Sequence, residues 1–441
     1  MTTETFSAAP ARGMRDLLPA EVAIRDWAMA VIMRTYEQFG FTRIETPVME
    51  NISLLRRGEG GENLQLIFEV LKRGDKLEKE LAQPVISKEN LADLGLRFDL
   101  TVPLVRFYAN NQNNLPNPLK AIQIGSVFRA ESPQAGRFRQ FTQCDIDVIG
   151  MKSEFAEMEL VQATSQALLQ LGFEGFKVRI NDRRVLSQLT ESFGFEEAQQ
   201  DRVFIALDKL DKIGIEGVRK ALESEGHAPA SIGQMIDFLE RFKTLDLSAL
   251  ATAGSDLQAS RQLLPPTVSN EVWQSLAKVI TAVRQVAKDA YKIEFDPTLV
   301  RGMGYYTGQI FEIECPGYSS SVAGGGRYDK MVGKFSGREV PAVGFSIGFE
   351  RIVSILMEKN FAPPTATQKM ALIFEPDRDP LADVLLAADE VRSRGLTVCA
   401  LARKKDMRKQ LDALLSQNFH SYAVFKGAQT EPEIKQLKTE T

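Results

Sequence analysis

Histidine is nearly missing from this chain: 441 residues hold two, His227 and His420. No HExxH zinc motif exists, and a Ser-His-Asp apparatus would have to rest on one of two isolated imidazoles. His227 lies in the loop-like Glu225–Pro229 and His420 follows an amphipathic helical pattern, so both read as structural or solvent-exposed. Cysteine is scarce too. Cys144, Cys315 and Cys399 stand far apart without CxxC spacing, which predicts free thiols in a reducing cytoplasm rather than a disulfide or zinc framework. No apolar run approaches the ~20 residues that span a bilayer. The opening MTTETFSAAPARG has neither a basic n-region nor an apolar h-region. The expectation is a cytoplasmic protein without membrane segments. Strong charge of one sign is also lacking. A net charge of −4 argues against a generally basic nucleic-acid binder, although local patches decide such binding. One patch is Arg403–Lys409, where a solvated helix face would look the same. No repeats or low-complexity segments stand out, and the length allows two to four domains.

What is present is concentrated between Gly125 and Gly150. GSVFRAESPQAGRFRQFTQCDIDVIG reads as two strands joined by a polar, arginine-bearing loop. Side chains alternate faces along a strand. Arg139, Phe141, Gln143, Asp145 and Asp147 therefore share one face, and Cys144, Ile146 and Val148 the other. The second set is a core face. The first suits a polar ligand, although a solvated sheet face would show the same alternation.

Other segments decide between these. Phe128-Arg129-Ala130-Glu131 and Arg139-Gln140-Phe141 flank the loop, and together they resemble motif 2 of the class II aminoacyl-tRNA synthetases. Gly344-Phe345-Ser346-Ile347-Gly348-Phe349-Glu350-Arg351 resembles motif 3 of that class. Leu299-Val300-Arg301-Gly302-Met303-Gly304-Tyr305-Tyr306-Thr307-Gly308 and Ala323-Gly324-Gly325-Gly326-Arg327-Tyr328-Asp329 are similar to the signature segments of histidyl-tRNA synthetases. The resemblance begins at Gly13-Met14-Arg15-Asp16-Leu17-Leu18-Pro19 and runs to about Gly427. The three-glycine segment is read as a turn; it does not fit GxGxxG, which argues against a dinucleotide fold.

The resemblance implies an α+β fold: a class II antiparallel-sheet catalytic domain with a helical insertion and a C-terminal α/β anticodon-binding domain. Helical spacing of Ile24, Trp27, Ala28, Val31, Ile32, Tyr36 and Phe39 predicts a helix over 20–39, with Gly40 as its stop. An extended piece then runs from Phe41 to Thr46 before Pro47. This pair resembles motif 1, which in that class builds a homodimer interface. Residues 1–182 form the first part of the expected catalytic domain. The amphipathic helices of 183–289 form the insertion, 290–361 complete the catalytic domain, and 368–441 form the anticodon-binding domain. A linker by composition, Ala362–Thr367, precedes alternating β and α segments that predict a small parallel sheet. After Gly427 about 14 mostly polar residues remain, where the family usually has a further strand-bearing stretch.

The reaction implied is attack of histidine's carboxylate on the α-phosphate of ATP, followed by transfer of histidine to the 3′ end of its tRNA. The attacking carboxylate is ionised near neutral pH, so no protein base is needed. Positioning and positive charge are, and arginine supplies both through a permanently charged planar fork. By resemblance Arg129 holds the α-phosphate and the substrate carboxylate, Arg301 makes a second α-phosphate contact, and Arg351 takes the γ-phosphate side. Arg137 and Glu131 are assigned to pyrophosphate and adenine, and Phe141 stacks on adenine. Mg²⁺ is expected with the phosphates, with no protein ligand assigned. Reading both nitrogens of an imidazole demands a partner at each edge; Asp147 and Tyr306 match those positions. Asp99, Thr101 and Gln143 match positions around the α-amino group, with Tyr305 and Tyr328 lining the same pocket. One departure is Gly304, where the family signature has an acid. The competing reading is a non-catalytic, synthetase-like regulatory paralogue that senses histidine or tRNA.

Overall fold

The computed structural model describes residues 7–58, 65–132, 138–245, 255–301, 305–318, 320–364, 368–427 and 430–437. Two compact units divide at Phe361/Ala362.

The first unit is built on an eight-stranded sheet. Its strands are β1 (Thr42–Arg43), β5 (Leu119–Phe128), β6 (Gln140–Ile149), β7 (Lys177–Asp182), β8 (Lys292–Phe295), β9 (Gln309–Glu314), β10 (Ala323–Arg327) and β11 (Ala342–Ile347). They lie in the order β1-β5-β6-β11-β10-β9-β7-β8. The six strands from β5 to β7 pair antiparallel, and the two edge strands β1 and β8 pair parallel. A three-stranded sheet of β2 (Met49–Asn51), β3 (Glu69–Leu71) and β4 (Ala92–Leu96) completes the unit's sheets among the described residues, in the order β2-β4-β3.

Each face of the large sheet has its own cover. Cys144, Ile146 and Val148 are fully buried in one apolar cluster with the helices Pro19–Gln38, Phe155–Gln170 and Phe349–Glu358, as strand parity predicts. The helix Pro19–Gln38 starts with proline in its first turn and ends at Phe39–Gly40, where Gly40 takes φ +77°. Its buried side runs through Ile24, Ala28, Ile32 and Tyr36. Trp27 lies at the edge of this packing, with its ring 4.4 Å from that of Phe361. On the opposite face, Ile149, Ala121, Leu119 and Ala342 pack with Phe98, Val102, Val105 and Met331 in a second cluster. The helices Thr101–Asn111 and Asp329–Ser336 supply its cover. The polar residues Asp145 and Asp147 of β6 share this face.

Among the described residues six α-helices between Arg183 and Ala287 form the helical region, and their apolar side chains belong to the same cluster as the first face of the sheet. The second unit has β12 (Lys369–Phe374), β13 (Thr397–Ala402), β14 (Ser421–Val424) and β15 (Lys435–Gln436), in the order β13-β12-β14-β15. Its helices are Leu381–Ser393 and Met407–Ser416. The first three strands are parallel, as the alternating pattern predicts.

Three expectations need correction. The extended piece Phe41–Thr46 keeps only two residues in a strand. Beyond them the Arg97 side chain captures the Thr46 carbonyl at 2.8 Å, and the chain leaves for the small sheet. The polar tail after Gly427 does carry a strand: β15 pairs antiparallel with β14. Finally, Gly324–Gly326 is no turn but the middle of β10, buried between β9 and β11. Glycine within a strand marks a close approach by other groups, and the site shows which.

Candidate active site

Strand parity places the polar row of β6 on this second face of the large sheet, and neighbouring strands deepen it into a cavity of about 360 Å³. Asp147 and Asp145 rise from β6. Opposite Asp147 on β11 is Gly344, and opposite Asp145 is Ser346. A Cβ on Gly344 would come within 2.0 Å of Asp147 Oδ1, and one on Gly326 within 2.9 Å of the Tyr306 ring. Glycine here leaves the floor bare for a carboxylate and an aromatic ring. The Tyr328 hydroxyl donates to Asp147 Oδ1 at 2.6 Å, and the Tyr305 ring lies 4.8 Å from that of Tyr306 and 6.0 Å from that of Tyr328.

The cationic side is also held from behind. Arg129 directly follows β5; its Nε donates to the Phe98 carbonyl at 3.0 Å and its guanidinium lies 5.0 Å from the Phe141 ring centroid. With Nε used, contact with a ligand falls to the terminal nitrogens. Arg301 donates through Nη1 to Glu312 at 2.6 Å. Arg351, in the first turn of the helix Phe349–Glu358, donates to the Ser321 carbonyl.

Unmet hydrogen bonds mark this cavity as built for a ligand. Among the described residues eleven buried side-chain polar atoms lack a partner, and five belong to residues lining it: Asp99 Oδ2, Gln143 Oε1, Asp145 Oδ1, Asp147 Oδ2 and Arg301 Nε. Orphaned buried polar atoms are expensive unless something satisfies them. Four of the five are oxygens, so the missing partner is rich in N–H donors.

Electrostatics agree. Burial raises Asp147 to about 7, against the Tyr328 hydrogen bond and with help from the nearby Asp99 charge. Burial raises Asp99 to about 6, opposed by the Val102 N–H and by Arg129. Asp145 is pushed well above the usual carboxylate range by burial and by Asp147. Such clustering of perturbed acids typifies functional sites. For Arg301, burial works against the charge, but Tyr306 and Glu312 outweigh it and the guanidinium is held charged. The cavity therefore sets buried carboxyls and guanidinium groups side by side, with Arg129 near enough to lower both Asp99 and Asp145.

A family model described as "Histidyl-tRNA synthetase" matches residues 13–352, and this span contains every element of the cavity. The chain belongs to the histidyl-tRNA synthetase family. The histidine–tRNA ligase of Leifsonia xyli subsp. xyli is 44% identical over 434 residues, covering 97% of each chain. The crystal structure of histidyl-tRNA synthetase from Nostoc sp. PCC 7120 superposes with a TM-score of 0.76 at 29% identity, over 98% of this chain and 95% of that one. An ATP phosphoribosyltransferase regulatory subunit/histidyl-tRNA synthetase from Bacillus halodurans superposes with a TM-score of 0.73 at 22% identity, over 96% and 100%; that likeness shows the fold alone.

The cavity lining of this histidyl-tRNA synthetase family member brings together Asp99, Thr101, Arg129, Glu131, Phe141, Gln143, Asp147, Arg301, Tyr305, Tyr306, Tyr328 and Arg351, from six stretches of chain. Arg137 and Gly304 lie outside the described residues. The structure adds groups that sequence reasoning left without a role. Asp145 was visible as a member of the polar row, but nothing in the sequence said it would be buried beside Asp147. Glu350 lines the cavity and receives the Arg25 fork at 2.7 and 2.8 Å and the Thr142 N–H at 3.0 Å. Burial opposes its charge, yet Arg25 and that N–H hold its carboxyl below the usual range. No local signal could join Arg25 to Glu350, 325 residues apart.

Proposed function

We propose that this cavity activates histidine with ATP and that the protein passes the histidyl group to tRNA, as a histidine–tRNA ligase. The observation that carries the reading is the convergence of orphaned carboxylate and amide oxygens with three arginines in one cavity. Histidine's imidazole and ammonium groups supply the donors that those oxygens lack, and its carboxylate points toward Arg129. Asp147 and Tyr306 take the two ring nitrogens; Asp99, Thr101 and Gln143 surround the ammonium. A site with polar groups on both edges of the ring rejects analogues that would leave them unpaired. The relative at 44% identity supports the ligase over the regulatory reading.

On the phosphate side Arg129 and Arg301 face the α-phosphate and Arg351 the γ-phosphate, so charge developing at phosphorus meets fixed cations. Adenine lies against Phe141, with Glu131 at its edge. Mg²⁺ enters as part of the ATP substrate. Among the described residues no group of three metal-binding side chains exists, which suits an ion held mainly by phosphates and water.

The remaining assignments rest on the family likeness. Residues 183–289 act as an insertion within the catalytic domain of 1–182 and 290–361. The second unit, 368–441, reads the anticodon, and two copies pair through the first helix and the strand after it in a cytoplasmic homodimer. No helix of the described residues is long and apolar enough to cross a membrane.

The deciding experiment is ATP–pyrophosphate exchange with each of the 20 standard amino acids. Exchange with histidine alone is the expected result. Folded protein that exchanges with none of them would refute the activation reading.

A further inference from the structure

Strand register sets one continuous polar row across the sheet, and its members Gly324, Ser346 and Asp145 line the cavity. Reading from one edge of the sheet, Glu294 pairs with Arg179, Arg179 with Glu312, Glu312 with Gly324, Gly324 with Ser346, Ser346 with Asp145 and Asp145 with Gln123. Residues directly opposite in register share a face. The row is broken only at Gly324, which has no side chain. That gap is filled from above by the Arg301 guanidinium: a Cβ on Gly324 would lie 2.2 Å from Nη1 and 2.4 Å from Cζ. With Arg301 in the slot, four neighbouring positions alternate in sign: Glu294, Arg179, Glu312, Arg301.

We propose that Glu312 is the residue that positions Arg301 for adenylate formation, and that Arg179 in turn fixes Glu312. The inference rests on the reading of Arg301 as a phosphate-binding arginine. Glu312 accepts from Arg301 Nη1 at 2.6 Å, with the two side chains about one-quarter and one-fifth exposed (25% and 18%). The Arg179 guanidinium lies behind, 3.9 Å from Glu312, 2.6 Å from Asp296 and 3.5 Å from Asp211, and also contacts Glu314. Arg179, Asp208, Asp211 and Glu312 line a second, small cavity of about 60 Å³. Glu312 is therefore held between two guanidinium groups. Every strong acceptor around Arg179 other than Glu312 belongs to the scaffold, whereas Arg301 reaches the active cavity.

The Arg301 fork is gripped through Nη1 and lies against the Gly324 floor. The residue lines the cavity, and its buried Nε has no partner. Without Glu312 the arginine keeps its charge but loses its fixed orientation. Catalysis by preorganised charge is sensitive to displacements of an ångström.

The test uses full-length protein and histidine-dependent pyrophosphate exchange. Arg301→Ala is expected to lose on the order of 10³-fold in kcat. Glu312→Gln, which keeps size and one acceptor, is expected to lose about 10²-fold in kcat with KM for ATP and histidine changed less than about threefold. Glu312→Asp should fall between it and the wild type. Added guanidinium, kept well below unfolding concentrations, should enter the emptied slot and restore part of the activity of Arg301→Ala. Methylammonium, a point charge without the fork, should not, and neither cation should rescue the Arg301→Ala/Glu312→Gln double variant. Near-normal exchange by Arg301→Ala would refute the arginine reading itself. An inactive Arg301→Ala beside a Glu312→Gln of wild-type kcat would overturn the role of Glu312 alone. Equal rescue of single and double variants would also overturn it. Should Glu312→Gln unfold, guanidinium against methylammonium on Arg301→Ala, where Glu312 is intact, still decides: equal rescue by both would count against a fork-holding Glu312.

Discussion

Replacing Gly324 with alanine adds one methyl group to the floor of the cavity and changes no charged or hydrogen-bonding side chain. That carbon would stand 2.2, 2.4 and 2.6 Å from Nη1, Cζ and Nη2 of Arg301, whereas ordinary contact begins at 3.4 Å. The guanidinium must lift by about 1.2 Å, the difference between 3.4 and the closest approach of 2.2 Å. Its 2.6 Å bond to Glu312 cannot survive that movement unchanged. The displaced atoms end a flexible side chain, so the fold yields readily. A misplacement of this size is worth about 10²-fold in rate, or about 2.7 kcal/mol of transition-state stabilisation. Pyrophosphate exchange should show the loss in kcat, while the melting temperature stays within a few degrees of wild type. Gly325→Ala is the informative contrast. Its Cβ would meet the Gly344 carbonyl at 2.0 Å and the Phe345 Cα at 2.7 Å; that backbone cannot move aside, so folding itself should suffer. A Gly324→Ala enzyme with kcat within about threefold of wild type would refute the claim that Arg301 must lie in the Gly324 slot.

Further outcomes follow from the buried acids and the supports. Asp147 rises in the fold from 3.8 to about 7 through burial, so the empty protein binds this proton more tightly than the unfolded chain does. The stabilisation is complete below the unfolded value and is lost as pH climbs through about 7. Three pKa units correspond to roughly 4 kcal/mol as an upper bound. Asp147→Asn, which can keep the Tyr328 bond, should therefore exceed wild type most at pH 8, with the gap shrinking as pH falls and nearly closed at about pH 4, while losing histidine-dependent exchange. Melts that fail to converge at the lower pH would count against this account. Arg25→Ala leaves the Glu350 carboxylate with the Thr142 N–H at 3.0 Å and Arg15 at 3.4 Å; Arg25 is only 7% exposed, and breaking such a buried pair costs up to about 3–5 kcal/mol, visible as a lower urea midpoint. An unchanged midpoint would show that water replaces Arg25 without loss. In the second unit, Lys404→Glu with Lys405→Glu should weaken tRNA binding more at low salt than at high salt. Identical salt slopes for variant and wild type would return that patch to an ordinary solvated helix end.

Much of the molecule could be read from the chain because the governing signals are local. Helical spacing from Ile24 to Tyr36, the alternation in Gln140–Ile149 and the βα rhythm after Met370 each arise within one element, where side-chain direction follows backbone period. The motif segments likewise contain most of the cavity lining. Tertiary structure alone decided how deep those residues lie and what they answer to. Asp145 is a polar residue in a strand until β11 covers its neighbour; burial then makes it one of three coupled acids. Glu350 and Arg25 meet across 325 residues. Gly324–Gly326 resembles a turn because three glycines lower strand propensity. Only the arrival of Arg301, the Gly344 backbone and Tyr306 over their missing Cβ atoms makes that stretch a central strand. Sequence thus determined which groups are available and which face of each element they occupy. The registers that align Arg179, Glu312, Gly324 and Asp145 in one row depend on pairings between distant strands, which no local pattern encodes.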